Sequence, residues 1–143
     1  MSKSDAFENS LLKLIFNGTA IANLADNAAS APLTNLYVSL HTADPGEAGN
    51  QSTSETAYTG YARVAVARTT GGWTVTNNSV SPVANIDFGN CTGGSSSTIT
   101  YFGVGTASSG AGVLYYSGTV TPSITVSSGV TPRLTTSSTI TED

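Results

Sequence analysis

Apolar residues follow two different periods along this chain. Between Asp5 and Gly18, Phe7, Leu11, Leu14 and Ile15 recur at spacings of three and four, which predicts an amphipathic helix with that stripe as its apolar face. Asp5 is placed to cap it, Glu8 completes a capping-box spacing, and Gly18 is the expected stop. Residues 19–25, with Ile21 and Leu24, predict a short further turn of helix, followed by a loop of small residues at 27–32. From Asn35 the period becomes two. Leu36, Val38 and Leu40 alternate with Tyr37, Ser39 and His41, predicting a strand over 35–41 whose second face, His41 included, looks outward. Asp44-Pro45-Gly46 sets a turn. Residues 47–60 hold almost no large apolar side chain and predict a long exposed loop, a first candidate contact surface.

Alternation resumes at residues 61–68, and Gly71-Gly72 suits a tight turn into Trp73 and Val75, so the two segments are expected to form a hairpin. Asn77-Asn78 repeats the turn signal, and Pro82 confines the next strand to an edge or a start. Further strands are expected at 85–88, 98–104, 112–117, 119–126, 130–134 and 138–141, between turns rich in Gly, Ser and Asn. The reading is a mainly β chain: a single-domain antiparallel β-sandwich or jelly-roll-like fold with a short N-terminal helical segment, drawn as a helical arm at 1–34 and a β body at 35–143.

Composition agrees with that class and removes several functions. Ser and Thr fill 42 of the 143 positions and Gly another 15, which disfavours a helical bundle. A net charge of -4 with only five Lys and Arg leaves no basic surface for phosphates, so no nucleic-acid partner is expected. No segment approaches the apolar length of a membrane span, and the start, with two acids before a short apolar run containing Lys13, makes a poor secretory signal. A soluble protein made in the cytoplasm, with no membrane partner, is the expectation. Cys91 is the only cysteine, which excludes an internal disulfide and reads as a small half-buried residue at a strand end.

Reactive groups are sparse. His41 is the only histidine, so a Ser-His-Asp device would have to use it with Asp44 or Asp87, and no Gly-x-Ser-x-Gly elbow singles out a serine. One His and one Cys do not make a zinc site, Asp44 and Glu47 lack calcium-loop spacing, and the glycines at 103–105 and 110–112 lack the Lys of a phosphate loop. No catalytic, metal or cofactor site is therefore expected, and no cofactor. Between Thr69 and Thr141 only Asp87 and Arg133 are charged, so the C-terminal half has no Lys to guard its strand edges. Such edges are covered internally or by neighbouring subunits, and the second is favoured. The candidate assembly contacts are the helix stripe Phe7, Leu11, Leu14 and Ile15 with the tyrosines Tyr58, Tyr61, Tyr115 and Tyr116.

The stretches Leu36-Tyr37-Val38-Ser39-Leu40-His41-Thr42-Ala43-Asp44-Pro45-Gly46, Tyr58-Thr59-Gly60-Tyr61-Ala62-Arg63-Val64 and Tyr101-Phe102-Gly103-Val104-Gly105-Thr106, with the opening helix and Leu114-Tyr115-Tyr116-Ser117-Gly118, carry a resemblance over nearly the whole chain. In them the chain resembles the small virion proteins of tailed bacteriophages, commonly labelled tail fibre proteins and similar to capsid cement or decoration proteins. The resemblance implies a non-enzymatic structural role in the virion and carries over no catalytic residue. With no stalk or coiled-coil heptad in the chain, the expected role is a capsid cement protein, with a tail fibre or receptor-binding role as the alternative. The expected partners are copies of itself and other virion proteins such as the major capsid protein, with a host-surface receptor under the alternative.

Overall fold

The structure is a computed structural model that describes residues 3–27 and 31–142, so residues 28–30 of the expected small-residue loop lie outside the described residues. Among the described residues one helix, α1 (Asp5–Asn17), precedes nine strands: β1 (Asn35–His41), β2 (Val64–Ala67), β3 (Trp73–Thr76), β4 (Ser79–Pro82), β5 (Ile86–Asp87), β6 (Ser97–Gly105), β7 (Leu114–Val126), β8 (Arg133–Leu134) and β9 (Ile140–Thr141). The strands form sheets of order β2-β1-β6-β7, β3-β4-β9 and β5-β8, with antiparallel ladders between β1 and β6, β6 and β7, β3 and β4, and β4 and β9. The expectation of a mainly β, antiparallel chain with a short N-terminal helix is met. Contacts divide the chain into two compact units, Met1–Asn35 with Val66–Asn85 and Leu134–Asp143, and Leu36–Ala65 with Ile86–Arg133.

In the first unit the helical segment packs on β3 and β4. Its N-cap is Ser4 rather than Asp5; Ser4 has extended backbone and makes no side-chain capping bond, which leaves Asp5 and Glu8 inside the first turn, where the helix dipole favours acids. Gly18 ends the helix as expected, in the left-handed region at φ 65, its N–H donating to the Lys13 carbonyl. The buried stripe is Glu8, Leu12 and Phe16, not Phe7, Leu11, Leu14 and Ile15. Both stripes have helical spacing, and Trp73 decides between them: its ring meets Phe16 edge-on with centroids 4.9 Å apart. Leu12 and Phe16 are fully buried, while Phe7 is 40% exposed and Leu11, Leu14 and Ile15 are half-buried.

Arg68 closes the far end of the helix. Its guanidinium donates to the Leu14 and Ile15 carbonyls, 2.5 and 2.6 Å, which the helix end leaves without partners, and to Asn27 Oδ1 at 2.8 Å. The short helical turn expected at 19–25 is instead a tight loop, in which Ile21 and Ala25 exchange both backbone hydrogen bonds at 2.9 Å and Asn23 takes φ 61. So few residues cannot nucleate a helix alone, and Asn tolerates the left-handed conformation. The expected hairpin of residues 61–68 with the Trp73 strand does not form either. Gly72 and Trp73 both donate to the Thr69 carbonyl, so the chain turns away and Trp73 pairs forward with β4 across Asn77-Asn78. Pro82 faces Trp73 at the end of β4, beyond the two residues that β9 pairs, Ser79 and Val80.

The second unit holds the longer ladders. Leu36, Val38, Leu40, Ile99, Val104 and Val126 form its apolar core, all at most 1% exposed. The strands expected at 112–117 and 119–126 are one strand, β7, of 13 residues on the edge of its sheet. Its ladder with β6 slips twice: between Ile99, which faces Ile124, and Tyr101, which faces Thr119, and again where Val104 faces Tyr116 while Gly105 faces Leu114, leaving Tyr115 as an extra residue in a bulge. Two further expectations fail on the other face of β1. His41 and Ser39 are fully buried rather than facing outward, and the chain over 47–60 is not an exposed loop throughout, since Gln51, Thr56 and Tyr58 are buried. Hydrophobic patterning reads an apolar cover, and this face is covered by polar groups.

Truncation separates the two helix stripes. Leu12→Ala removes a fully buried side chain and should cost about 2–5 kcal/mol, whereas Leu11→Ala on the half-buried stripe should cost clearly less; urea unfolding of the two variants measures the difference.

Candidate functional site

The polar face of β1 is built around Arg63, whose side chain is 2% exposed. Its Nε and Nη2 donate to Glu55 Oε1 and Oε2, both at 2.7 Å, in the two-pronged geometry that matches a guanidinium to a carboxylate. Nη1 donates to the Ala107 carbonyl at 2.9 Å and Nη2 to the Gly110 carbonyl at 2.6 Å. One side chain therefore ties residues 52–55 to the turn between β6 and β7. Tyr61 extends the cluster: its hydroxyl donates to Glu55 Oε1 at 2.8 Å and accepts the Leu40 N–H at 3.1 Å. Burial, with the Glu55 carboxylate beside it, pushes the Tyr61 phenol far above its usual range, and the hydrogen bond to Glu55 raises the Arg63 guanidinium further.

His41 and Gln51 complete the cover. His41 Nδ1 lies 2.8 Å from the Thr53 carbonyl, which can only accept, so Nδ1 carries the proton and Nε2 accepts from Ser39 Oγ at 2.8 Å. The Ser39 and His41 pair has the spacing of a nucleophile and base, yet both residues are fully buried and the third partner is a backbone carbonyl, so the pair offers no face to a substrate. Desolvation holds the His41 imidazole below its usual pKa against the opposing pull of the Thr53 carbonyl and Glu55. Gln51, also fully buried, donates to the Tyr37 carbonyl at 3.3 Å and accepts the Ala107 N–H at 2.8 Å.

Beside this polar layer lies an open cleft of about 460 Å³, within the size range of small-ligand sites. The turn after β1 supplies Asp44, Glu47 and two glycines; the start of β7 supplies Leu114, Tyr115, Tyr116 and Ser117. Asp44 Oδ1 accepts the Gly46 N–H at 2.9 Å, which fixes the turn with both acids on the surface. The bulge places Tyr115 at the cleft, and the residue is 44% exposed.

The sequence-selected residues are thus dispersed. Phe7, Leu11, Leu14 and Ile15 sit on the outer stripe of α1, and Tyr115 and Tyr116 line the cleft. Tyr58 and Tyr61 lie within the second unit: Tyr58 is 4% exposed and donates to the Gly89 carbonyl at 2.9 Å, and the two rings meet edge-on at 5.4 Å. Cys91 is buried, its thiol 3.4 Å from the Gly93 carbonyl. Among the described residues no three His, Cys, Asp or Glu side chains gather as a metal site would require. Sequence reading missed Arg63, Glu55 and Gln51, although two opposite charges eight residues apart in a chain with 10% charged residues were a usable signal.

Breaking the central pair should be severe. Arg63→Met strands the Glu55 carboxylate in a site only 16% exposed and should cost about 3–5 kcal/mol in chemical unfolding. Because the folded state lowers the His41 pKa, the unfolded chain binds more protons below the ordinary value of 6.5; stability should be full above that pH and decline as pH falls below it. Replacing His41 with Gln should flatten that slope in thermal unfolding measured across the same range.

Comparison with curated proteins finds no match. A family model described as Podophage GP4 fiber I protein gp80 matches residues 2–141, which takes in the helix, every strand of the second unit and both walls of the cleft. That span agrees with the resemblance to tailed-phage virion proteins carried by residues 36–46 and 101–106, and the chain belongs to the podophage GP4 fiber I protein gp80 family of phage virion fibre proteins.

Proposed function

We propose that this protein is a non-enzymatic building block of a phage tail fibre, acting on the side of host attachment. The observation that carries the reading is the fibre family match over 2–141. Two features of the fold support it. The outer stripe of α1, Phe7 with Leu11, Leu14 and Ile15, leaves apolar surface facing outward, suited to other virion proteins or to a second copy of this chain. Among the described residues β7 is an edge strand of 13 residues with no charged side chain, and the outer rim of such a strand is a template for pairing with another chain. Catalysis has no part in this reading, since the Ser39 and His41 pair is sealed. The protein would be made in the host cytoplasm and act in the virion.

A capsid cement role is the second reading, favoured by the same uncharged strand edge, because burying it between shell subunits costs no charge desolvation. The two readings separate in particles lacking the protein. Under the fibre reading they adsorb poorly to host cells while keeping heat and osmotic tolerance, and gold-labelled antibody marks the tail. Particles that adsorb normally but burst on heating, with label on the shell, would establish the cement role instead.

A further inference from the structure

We propose that the cleft between the 44–49 turn and the start of β7 binds a neutral sugar unit of a surface polysaccharide. This rests on the fibre reading and names the ligand class that the second unit takes. Sugar rings present two kinds of surface at once, a face of C–H bonds and an equator of hydroxyls, and the cleft supplies a match for each. Tyr115, half-exposed and set there by the bulge, provides an aromatic face for the C–H surface. Asp44 and Glu47 provide carboxylate oxygens that accept from hydroxyls, and Ser117 adds a hydroxyl that donates or accepts. Neither acid is in an ion pair among the described residues.

The same residues argue against other ligands. Two carboxylates repel sialylated, sulfated or phosphorylated glycans, and no Lys or Arg lines the cleft to offset them. Two exposed acids are too few to hold a bare divalent cation, which takes six or more oxygens. Organic cations are the remaining competitor. An alkylammonium would use the ring face and one acid but leave the hydroxyl and the second acid idle, whereas a hexose engages all of them.

The test titrates the full-length protein with maltose, lactose, mannobiose and chitobiose, and separately with sialyllactose and Nα-acetyl-lysine methyl ester, following backbone amide resonances by NMR. The expected result is that at least one neutral disaccharide shifts the amides of residues 44–49 and 114–117 with a Kd on the order of 1 mM. Tyr115→Ala and Glu47→Gln should each weaken it by about tenfold, Tyr115→Phe should retain it, and sialyllactose should be inert. Both changed side chains are exposed, and an unchanged spectrum elsewhere verifies the fold. Silence with all four neutral sugars, stronger binding of the lysine ester or sialyllactose, or binding that survives Tyr115→Ala overturns the proposal. Phage carrying Tyr115→Ala distinguishes it from the fibre reading: if they adsorb normally while phage lacking the protein do not, the cleft assignment fails and the fibre reading stands.

Discussion

Burying the Arg63 guanidinium against the Glu55 carboxylate is the constraint on which the second unit depends. The pair sits where a sheet ordinarily receives an apolar layer, and removing two charges from water is expensive enough that only full hydrogen bonding makes it tolerable. Every nitrogen of the Arg63 guanidinium has an acceptor. Its nitrogens reach Glu55, Ser52 and the carbonyls of Ala107 and Gly110, which belong to two different connections of the chain. The pair consequently sets position more than it adds net stability: neither connection can shift without leaving a buried charge uncompensated. Both walls of the cleft continue from those connections, the 44–49 turn from one and the start of β7 from the other.

A polar layer over a sheet also explains why the chain has so much glycine where it does. A Cβ on Gly103 would come within 2.8 Å of Ser39 Oγ and His41 Nε2, and one on Gly105 within 2.4 Å of Gln51 Cδ. β6 therefore gives up side chains on this face so that Ser39, His41 and Gln51 can lie flat against it, each satisfied by a backbone or side-chain partner. The high Ser and Thr content follows the same logic, because short hydroxyl side chains suit β geometry and satisfy nearby backbone groups without adding charge.

What the sequence made legible was what apolar periodicity can encode. β1 was bounded at Asn35 and His41, α1 was placed to within a residue and stopped at Gly18, and the later strands fell near their positions because Gly, Asn and Pro punctuate them. Two of its failures share a cause. Alternation assigns Ser39 and His41 to solvent because it recognises only an apolar inside, and the polar chain over 47–60 reads as exposed for the same reason. On α1 two stripes with helical spacing compete, and the choice depends on Trp73, a residue on a strand more than fifty positions away. The cleft was half visible: the Asp44-Pro45-Gly46 turn and the Tyr115-Tyr116 pair each stood out, but the β6 register that brings them together is a long-range property.

Under the proposed attachment role, an open cleft makes physical sense once copy number is considered. A site with one aromatic face and two solvated acids holds a sugar only weakly, since water competes for every hydroxyl it offers. Repetition changes the outcome. When several copies are held on one particle above a surface of repeating sugars, each binding event after the first is intramolecular, and avidity exceeds the single-site affinity by about 10²–10⁴ without any new contact. That gain requires that each cleft keep its shape while empty, since ordering a loose turn at every contact would cancel it. The Asp44 turn closed on the Gly46 N–H and the Arg63 anchor beneath the adjoining chain supply that rigidity in advance. On this argument the costly buried ion pair and the weak exposed cleft are two parts of one design, the first making the second usable in number.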